Sequence, residues 1–156
     1  MKILIPMAGE GSRFKKEGYT FPKPLIDVRG KPMIQQVVEN LDFVSEYIFL
    51  VRKEHILKYN GIIDTLQRIT NNHCKIIEVD KLTEGAACTA LLAEEFIDNE
   101  EDLLIANSDQ FIEYQIENFK LLKQMTSADA IVWTFNAVHP KWSFVKTNAR
   151  GYITEV

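Results

Sequence analysis

The chain has little of what several common protein classes need. Two cysteines occur in 156 residues, Cys74 and Cys88, and neither has a second thiol at metal-ligand spacing. A disulfide-stapled fold and a thiolate zinc site are therefore disfavoured, and reduced thiols in a cytoplasmic protein are the simplest reading. Long apolar runs are absent. The amino-terminal Ile3-Leu4-Ile5 is broken by Pro6 and meets Gly9 and Glu10, too short for a signal-peptide core, and nothing approaches the ~20 residues of a membrane span. No excess of positive charge exists either: 18 basic against 22 acidic residues give a net charge of −4 and a pI near 5.4. Nucleic acid and anionic membrane surfaces are thus not expected partners, and any phosphate must be held locally. The three histidines, His55, His73 and His139, are scattered and read as surface or loop positions. With no histidine cluster and no Gly-x-Ser-x-Gly, zinc chemistry and serine hydrolysis are disfavoured.

What is present is an ordinary globular composition and a regular alternation. Apolar runs fit buried strands at Lys2–Pro6, Tyr47–Val51, Lys75–Val79, Asp102–Ala106 and Ala130–Phe135. Between them, helical spacing appears at Pro32–Asp42, Lys53–Thr70, Gly85–Phe96 and Glu113–Met125. In the first of these, Met33, Ile34, Val37, Val38 and Leu41 mark one buried face. The alternation predicts a Rossmann-like α/β domain, a mainly parallel sheet with helices on both faces. Trp142–Lys146 and Tyr152–Val156 flank the turn-rich Asn148-Ala149-Arg150-Gly151 and predict a carboxyl-terminal β-hairpin. The chain is read as one domain over 1–156, an α/β core over 1–136 and the start of an acceptor-side hairpin over 137–156.

The chemistry concentrates near the amino terminus. The first strand empties into Ala8-Gly9-Glu10-Gly11-Ser12-Arg13, and Pro22-Lys23-Pro24-Leu25 follows ten residues after the arginine. A strand ending in a glycine-rich turn exposes backbone N–H groups at the edge where open α/β sheets bind ligands. Arg13 and Lys23 add fixed positive charge, so the turn reads as an anion site. A dinucleotide-binding dehydrogenase is poorly supported as a rival, because position 14 is Phe where a third glycine is required and the loop to the next helix is far too long. Asp109, straight after Leu103-Leu104-Ile105, points a carboxylate at the same crevice as the end of a central strand. It can start a magnesium site, or it can cap or turn the chain into the next helix. The segment Thr83-Glu84-Gly85-Ala86-Ala87-Cys88-Thr89 is either a small-residue helix start that approaches a nucleotide or a helix capped by Thr83 and packed on the sheet.

The Gly-x-Gly-Ser-Arg turn with the later Pro-Lys-Pro-Leu resembles the signature of the nucleotidyltransferases that make nucleotide-activated sugars and related compounds. Glu84-Gly85, Asp109 and the hairpin fall in that family's order. The resemblance implies transfer of a nucleotidyl group from a nucleoside triphosphate (CTP, dTTP or UTP) to a sugar 1-phosphate or another small phosphorylated acceptor, with Mg²⁺ and release of pyrophosphate. It implies that Arg13 faces the departing pyrophosphate and Lys23 the phosphates. Met7, Ala8, Gly9, Gly11 and Ser12, with Glu84, Gly85 and Ala86, would surround the nucleotide. Asp109 would hold the metal, and Trp142 and Lys146 would meet the acceptor. Two departures stand out. Ser108 precedes Asp109 where the family has glycine, and Phe14–Phe21 is not its usual wording. Family members also continue past such a hairpin with a Glu-Lys motif and a second aspartate, neither of which follows Val156. The expectation is an amino-terminal portion of a longer enzyme, with a homo-oligomer open and a non-catalytic nucleotide-binding or regulatory domain as the alternative. The Thr-Glu-Gly-Ala-Ala-Cys-Thr wording resembles members that serve capsule or surface-glycan precursors.

Overall fold

A computed structural model describes residues 1–9, 18, 21–113, 116–126 and 128–156. The chain divides into two compact units, Met1–Ile116 and Glu117–Val156.

The first unit is built on four parallel strands: β1 (Lys2–Met7), β4 (Glu46–Arg52), β5 (Cys74–Val79) and β6 (Leu103–Ile105). Their order across the sheet is β5-β4-β1-β6. The two inner strands are buried almost throughout, as apolar runs with both faces covered must be. The two-residue period of a strand then sorts side chains between faces. Ile3, Ile5, Met7, Tyr47, Phe49 and Val51 pack on one side with α1 (Met33–Leu41) and α3 (Ile62–Ile69). Leu4, Ile48 and Leu50 pack on the other, against Ala90, Ala93 and Phe96 from the region of α4 (Ala86–Leu91) and α5 (Glu94–Ile97). Helices on both faces of a parallel sheet are thus as the alternation predicts. Among the described residues, no helix is long and apolar enough to cross a membrane.

Between β1 and α1 lies a short turn, Lys23–Leu25, followed by a two-rung hairpin of β2 (Asp27–Val28) and β3 (Lys31–Pro32). Its tip, Arg29-Gly30, takes positive φ at both residues, and Asp27 Oδ1 accepts from the Gly30 N–H at 3.0 Å. That is the backbone twist which suits a two-residue hairpin. Pro32 therefore stands just outside α1, ending β3, rather than within its first turn.

Three elements depart from expectation. The helix expected over Lys53–Thr70 is two, α2 (Lys53–Lys58) and α3, because Gly61 turns the chain at φ +89 between them. Gly85–Phe96 likewise breaks into α4 and α5, as tightened bonds from Leu92 to Thr89 and from Ala93 to Ala90 bring Ala93, fully buried, onto the sheet. Ala130–Phe135 forms no strand. Its alternation is visible, with Ile131 and Trp133 half-buried and Val132 and Thr134 exposed. Trp133 stacks on Phe119 of α6 (Ile116–Met125), however, and no ladder partner is found for the segment among the described residues. In the same second unit the predicted hairpin is present as β7 (Lys146–Thr147) paired with β8 (Ile153–Glu155). Asn148 Oδ1 closes its turn by accepting from the N–H groups of Arg150 and Tyr152. His55 also corrects the reading of scattered surface histidines: it is buried in α2, edge-on to Tyr59.

Tyr47 supplies a test of this core. It is 3% exposed, donates its hydroxyl to the Phe43 carbonyl at 3.2 Å, and burial, then the charge of Asp42, pushes its phenol from 10.0 up to about 12. Because the folded value lies above the unfolded one, this contribution is complete below pH 10 and is lost as pH rises toward 12. Thermal melts between pH 9.5 and 11.5 should show a fall in stability that Tyr47→Phe reduces; an equal slope in the variant would refute the assignment.

Candidate functional site

Of the residues singled out by sequence, the carboxyl edge of the sheet collects Met7–Gly9, Lys23, Glu84–Ala86 and Asp109. At the end of β1, Met7 and Ala8 are buried and Gly9 is exposed. No described atom lies within 4 Å of a Cβ built on Gly9, so the described protein around it does not itself demand a glycine. Gly11, Ser12 and Arg13 lie outside the described residues.

Lys23 is held by its neighbours. Pro22, Pro24 and Ile26 are buried at alternate positions, so the chain is anchored on both sides of the lysine. The prolines fix φ and restrict the residues before them. Backbone bonds from Leu25 to Pro22 (2.8 Å) and from Met33 to Ile26 (2.9 Å) then tie the turn to itself and to the first turn of α1.

Asp109 arrives from the opposite direction in sequence. The sheet ladder carries β6 as far as Ala106, whose N–H donates to Leu4 O at 3.0 Å. Asp109 follows in a turn, with Asn107 Nδ2 donating to Gln110 Oε1 at 2.9 Å. Two details correct the expectation. β6 ends the order of the sheet instead of standing at its centre. Asp109 also does not cap the next helix, because residues 110–113 that follow it are not helical and α6 is described only from Ile116 onward. The structure brings its carboxylate to Lys23 across 86 residues of sequence, and the Lys23 ammonium donates to Asp109 Oδ2. The two side chains are 30% and 31% exposed, so the pair is reachable from solvent. In parallel register Leu4 faces Ile105, so the loops after β1 and β6 leave the sheet at the same edge.

At this edge stands a third segment. Glu84, Gly85 and Ala86 are exposed at the start of α4, which packs against β1. Thr83 does not cap that helix. Its hydroxyl instead lies with the Thr89 hydroxyl beside the Gly85 carbonyl, at 3.1 and 3.0 Å, and the two hydroxyls share their two protons between that carbonyl and each other. The amino-terminal N–H groups of α4 receive no side-chain cap from Gly85.

Trp142 and Lys146 belong to the second unit. The Trp142 ring meets Phe135 edge-on at 5.0 Å with the Lys141 ammonium 4.7 Å over it. Lys146 Nζ donates to Glu155 Oε2 at 2.6 Å across the β7–β8 pair, so its charge is answered within the hairpin.

One polar contact carried no sequence signal. Asn40 of α1 bonds the backbone of Ile112 in both directions, Nδ2 donating to the carbonyl at 2.9 Å and Oδ1 accepting from the N–H at 2.7 Å. Nothing in the spacing of Asn40 and Ile112, 72 residues apart, could announce it.

A parallel sheet with glycine, lysine and aspartate gathered at its carboxyl edge is the frame of a phosphate-handling α/β protein. Residues 2–152 match the nucleotidyl transferase family model, and the chain belongs to that family. It is 31% identical over 121 residues to the bifunctional protein GlmU of Methanocaldococcus jannaschii, covering 76% of this chain and 27% of that protein. It is 29% identical over 158 residues to the mannose-1-phosphate guanyltransferase of Yarrowia lipolytica, covering 97% and 42%. A crystal structure of a Bacillus anthracis protein assigned as a glucose-1-phosphate thymidylyltransferase shares the fold, with a TM-score of 0.65 at 24% identity over 80% of this chain and 50% of that one. This chain thus spans well under half the length of the curated relatives it matches.

A solvent-reachable ion pair contributes little to folding, ~1 kcal/mol or less. Lys23→Met and Asp109→Asn should each leave the urea midpoint almost unmoved, whereas Phe49→Ala, which empties a fully buried site, should cost about 3–5 kcal/mol. A collapse of stability in the first two variants would make the pair structural.

Proposed function

We propose that the chain carries the nucleotide-handling part of a sugar-phosphate-type nucleotidyltransferase. The observation behind this reading is the convergence of Lys23 and Asp109 at the edge where β1 ends. The donor is a nucleoside triphosphate, with CTP, dTTP and UTP the first candidates. Its base and ribose lie against the Met7–Gly9 backbone and the Glu84–Ala86 segment, where a small-residue surface permits close approach. The acceptor is a sugar 1-phosphate or a comparable small phosphorylated metabolite, as the names of the relatives suggest.

An acceptor phosphate oxygen attacks the α-phosphorus in line, a new P–O bond forms, and the bond to the bridging oxygen breaks with its electron pair leaving on pyrophosphate. Catalysis of such a step is mainly positioning and charge stabilisation. Lys23 offers three N–H donors, so it can share Asp109 and a phosphate oxygen at once. Arg13, Gly11 and Ser12 lie outside the described residues; by the family resemblance Arg13 is assigned to the departing pyrophosphate and Gly11 and Ser12 to the nucleotide. Asp109 suits magnesium, which takes one or two protein carboxylates and fills its remaining positions with water and phosphate oxygens. Bound there, the ion would neutralise charge gathering on the phosphates. Trp142 and Lys146 are assigned to the acceptor side. We place the activity in the cytoplasm, in the supply of capsule or surface-polysaccharide precursors, with a homo-oligomer compatible with it.

The complete protein should release pyrophosphate only when a nucleoside triphosphate, an acceptor phosphate and magnesium are supplied together, and a panel of five triphosphates against several acceptors should single out one base. Lys23→Ala should lower kcat by about 10²–10³ with unchanged circular dichroism. Hydrolysis of the triphosphate without acceptor would refute transfer. Calorimetric binding of one nucleotide without turnover would favour a non-catalytic nucleotide-binding domain instead.

A further inference from the structure

Helix α1 touches the backbone on both sides of the candidate site. At its first residue the Met33 N–H donates to Ile26 O, three residues beyond Lys23. Near its end, Asn40 makes its paired bonds to Ile112, three residues beyond Asp109. Four residues before Asn40 on the same flank, Gln36 Nε2 donates to Val28 O at 3.2 Å and holds the small hairpin that follows the Lys23 turn. The opposite face of the helix, Ile34, Val37, Val38 and Leu41, is buried in the core. A helix seated in this way is a rigid reference for whatever its flank holds.

The loop bearing Asp109 needs such a hold, because the β1–β6 ladder ends at Ala106 and the segment beyond it runs without regular structure to Glu113. An amide side chain that donates to and accepts from the same residue takes the place of a neighbouring strand and satisfies both backbone groups at once. We propose that Asn40 is a positioning residue, whose clasp on Ile112 keeps the 107–111 loop in the register that sets Asp109 against Lys23. The chemical consequence rests on the nucleotidyl-transfer reading, while the mechanical claim does not.

Asn40→Ala and Asn40→Asp in the complete protein test it by two readouts. Amide hydrogen exchange over residues 107–113 should quicken about tenfold in Asn40→Ala, with β1 and β4 unchanged, since two bonds holding that loop are lost. Its kcat should fall roughly 10- to 100-fold, the scale on which a misplaced group acts, while KM for the nucleotide holds. Asn40→Asp keeps an acceptor for the Ile112 N–H but sets a carboxylate against its carbonyl, and should fall between wild type and alanine in both readouts. Unchanged exchange in the loop would overturn the proposal, and so would a loosened loop with kcat intact. If wild type itself releases no pyrophosphate, the nucleotidyl-transfer reading fails, and the exchange result alone decides whether Asn40 holds the loop.

Discussion

The pairing of β1 with β4, continuous from Lys2 opposite Glu46 to Met7 opposite Val51, sets where every other element can go. Both strands are apolar on both faces, so each face has to be covered, and the long crossovers that parallel strands require supply helices as the covers. Once α1 and α3 take one side and α4 and α5 the other, all loops that follow strands leave at one edge. Gly9 and Asp109 meet at that edge because of this topology. Their separation of 100 residues in sequence becomes a step between neighbouring strands.

Helix α1 links that frame to the site through a division of labour around its circumference. Its apolar stripe makes it part of the core, and its flanks hold backbone that the sheet does not reach. On the side of the small hairpin, Lys31 lies 2.7 Å from Glu39, and the hydrogen bond from that lysine, with a second from Gln35, holds the Glu39 carboxyl below its ordinary range. One turn further along the flank of Gln36, which also bonds this hairpin at Val28 O, Asn40 holds Ile112. The turn that carries Lys23 and the loop that carries Asp109 are therefore referred to one rigid body. This matters for a pair whose own attraction, a third exposed to water, is too weak to fix two long segments.

Much of this frame was legible from periodicity alone. The runs at 3–5 and 47–51 are strands because an apolar stretch without alternation has to be buried on both faces, and the stripe from Ile34 to Leu41 is helical for the matching reason. Where reading failed, the deciding contact was long-range or a single residue overrode a pattern. Gly61 and Ala93 broke helices whose apolar spacing continued across them. Ile131 and Trp133 alternate as a strand would, yet a strand exists only with a partner, and Trp133 found Phe119. His55 looked like a solvent residue because imidazole carries no burial signal by itself. At the site, Lys23 and Asp109 could be named separately from their motifs. Their meeting and the clasp of Asn40 follow from three-dimensional packing, which no local spacing encodes.

The Lys23–Asp109 pair itself is best understood by asking what it costs to hold. A lysine side chain gives up about 2 kcal/mol of rotamer freedom when fixed, and an ion pair a third open to solvent returns about 1 kcal/mol or less. Folding alone does not explain why two buried prolines and Ile26 should brace that lysine, or why a helix amide should brace the loop across from it. The net charge of −4 points the same way, since the chain as a whole does nothing to attract an anion. At physiological salt the field of distant carboxylates is screened within roughly 8 Å, so a phosphate would be governed by the cation beside it. On the function proposed above, bracing this pair at a water-accessible sheet edge would keep the Lys23 ammonium where a phosphate can reach it, with Asp109 as the carboxylate that would bring a divalent ion alongside.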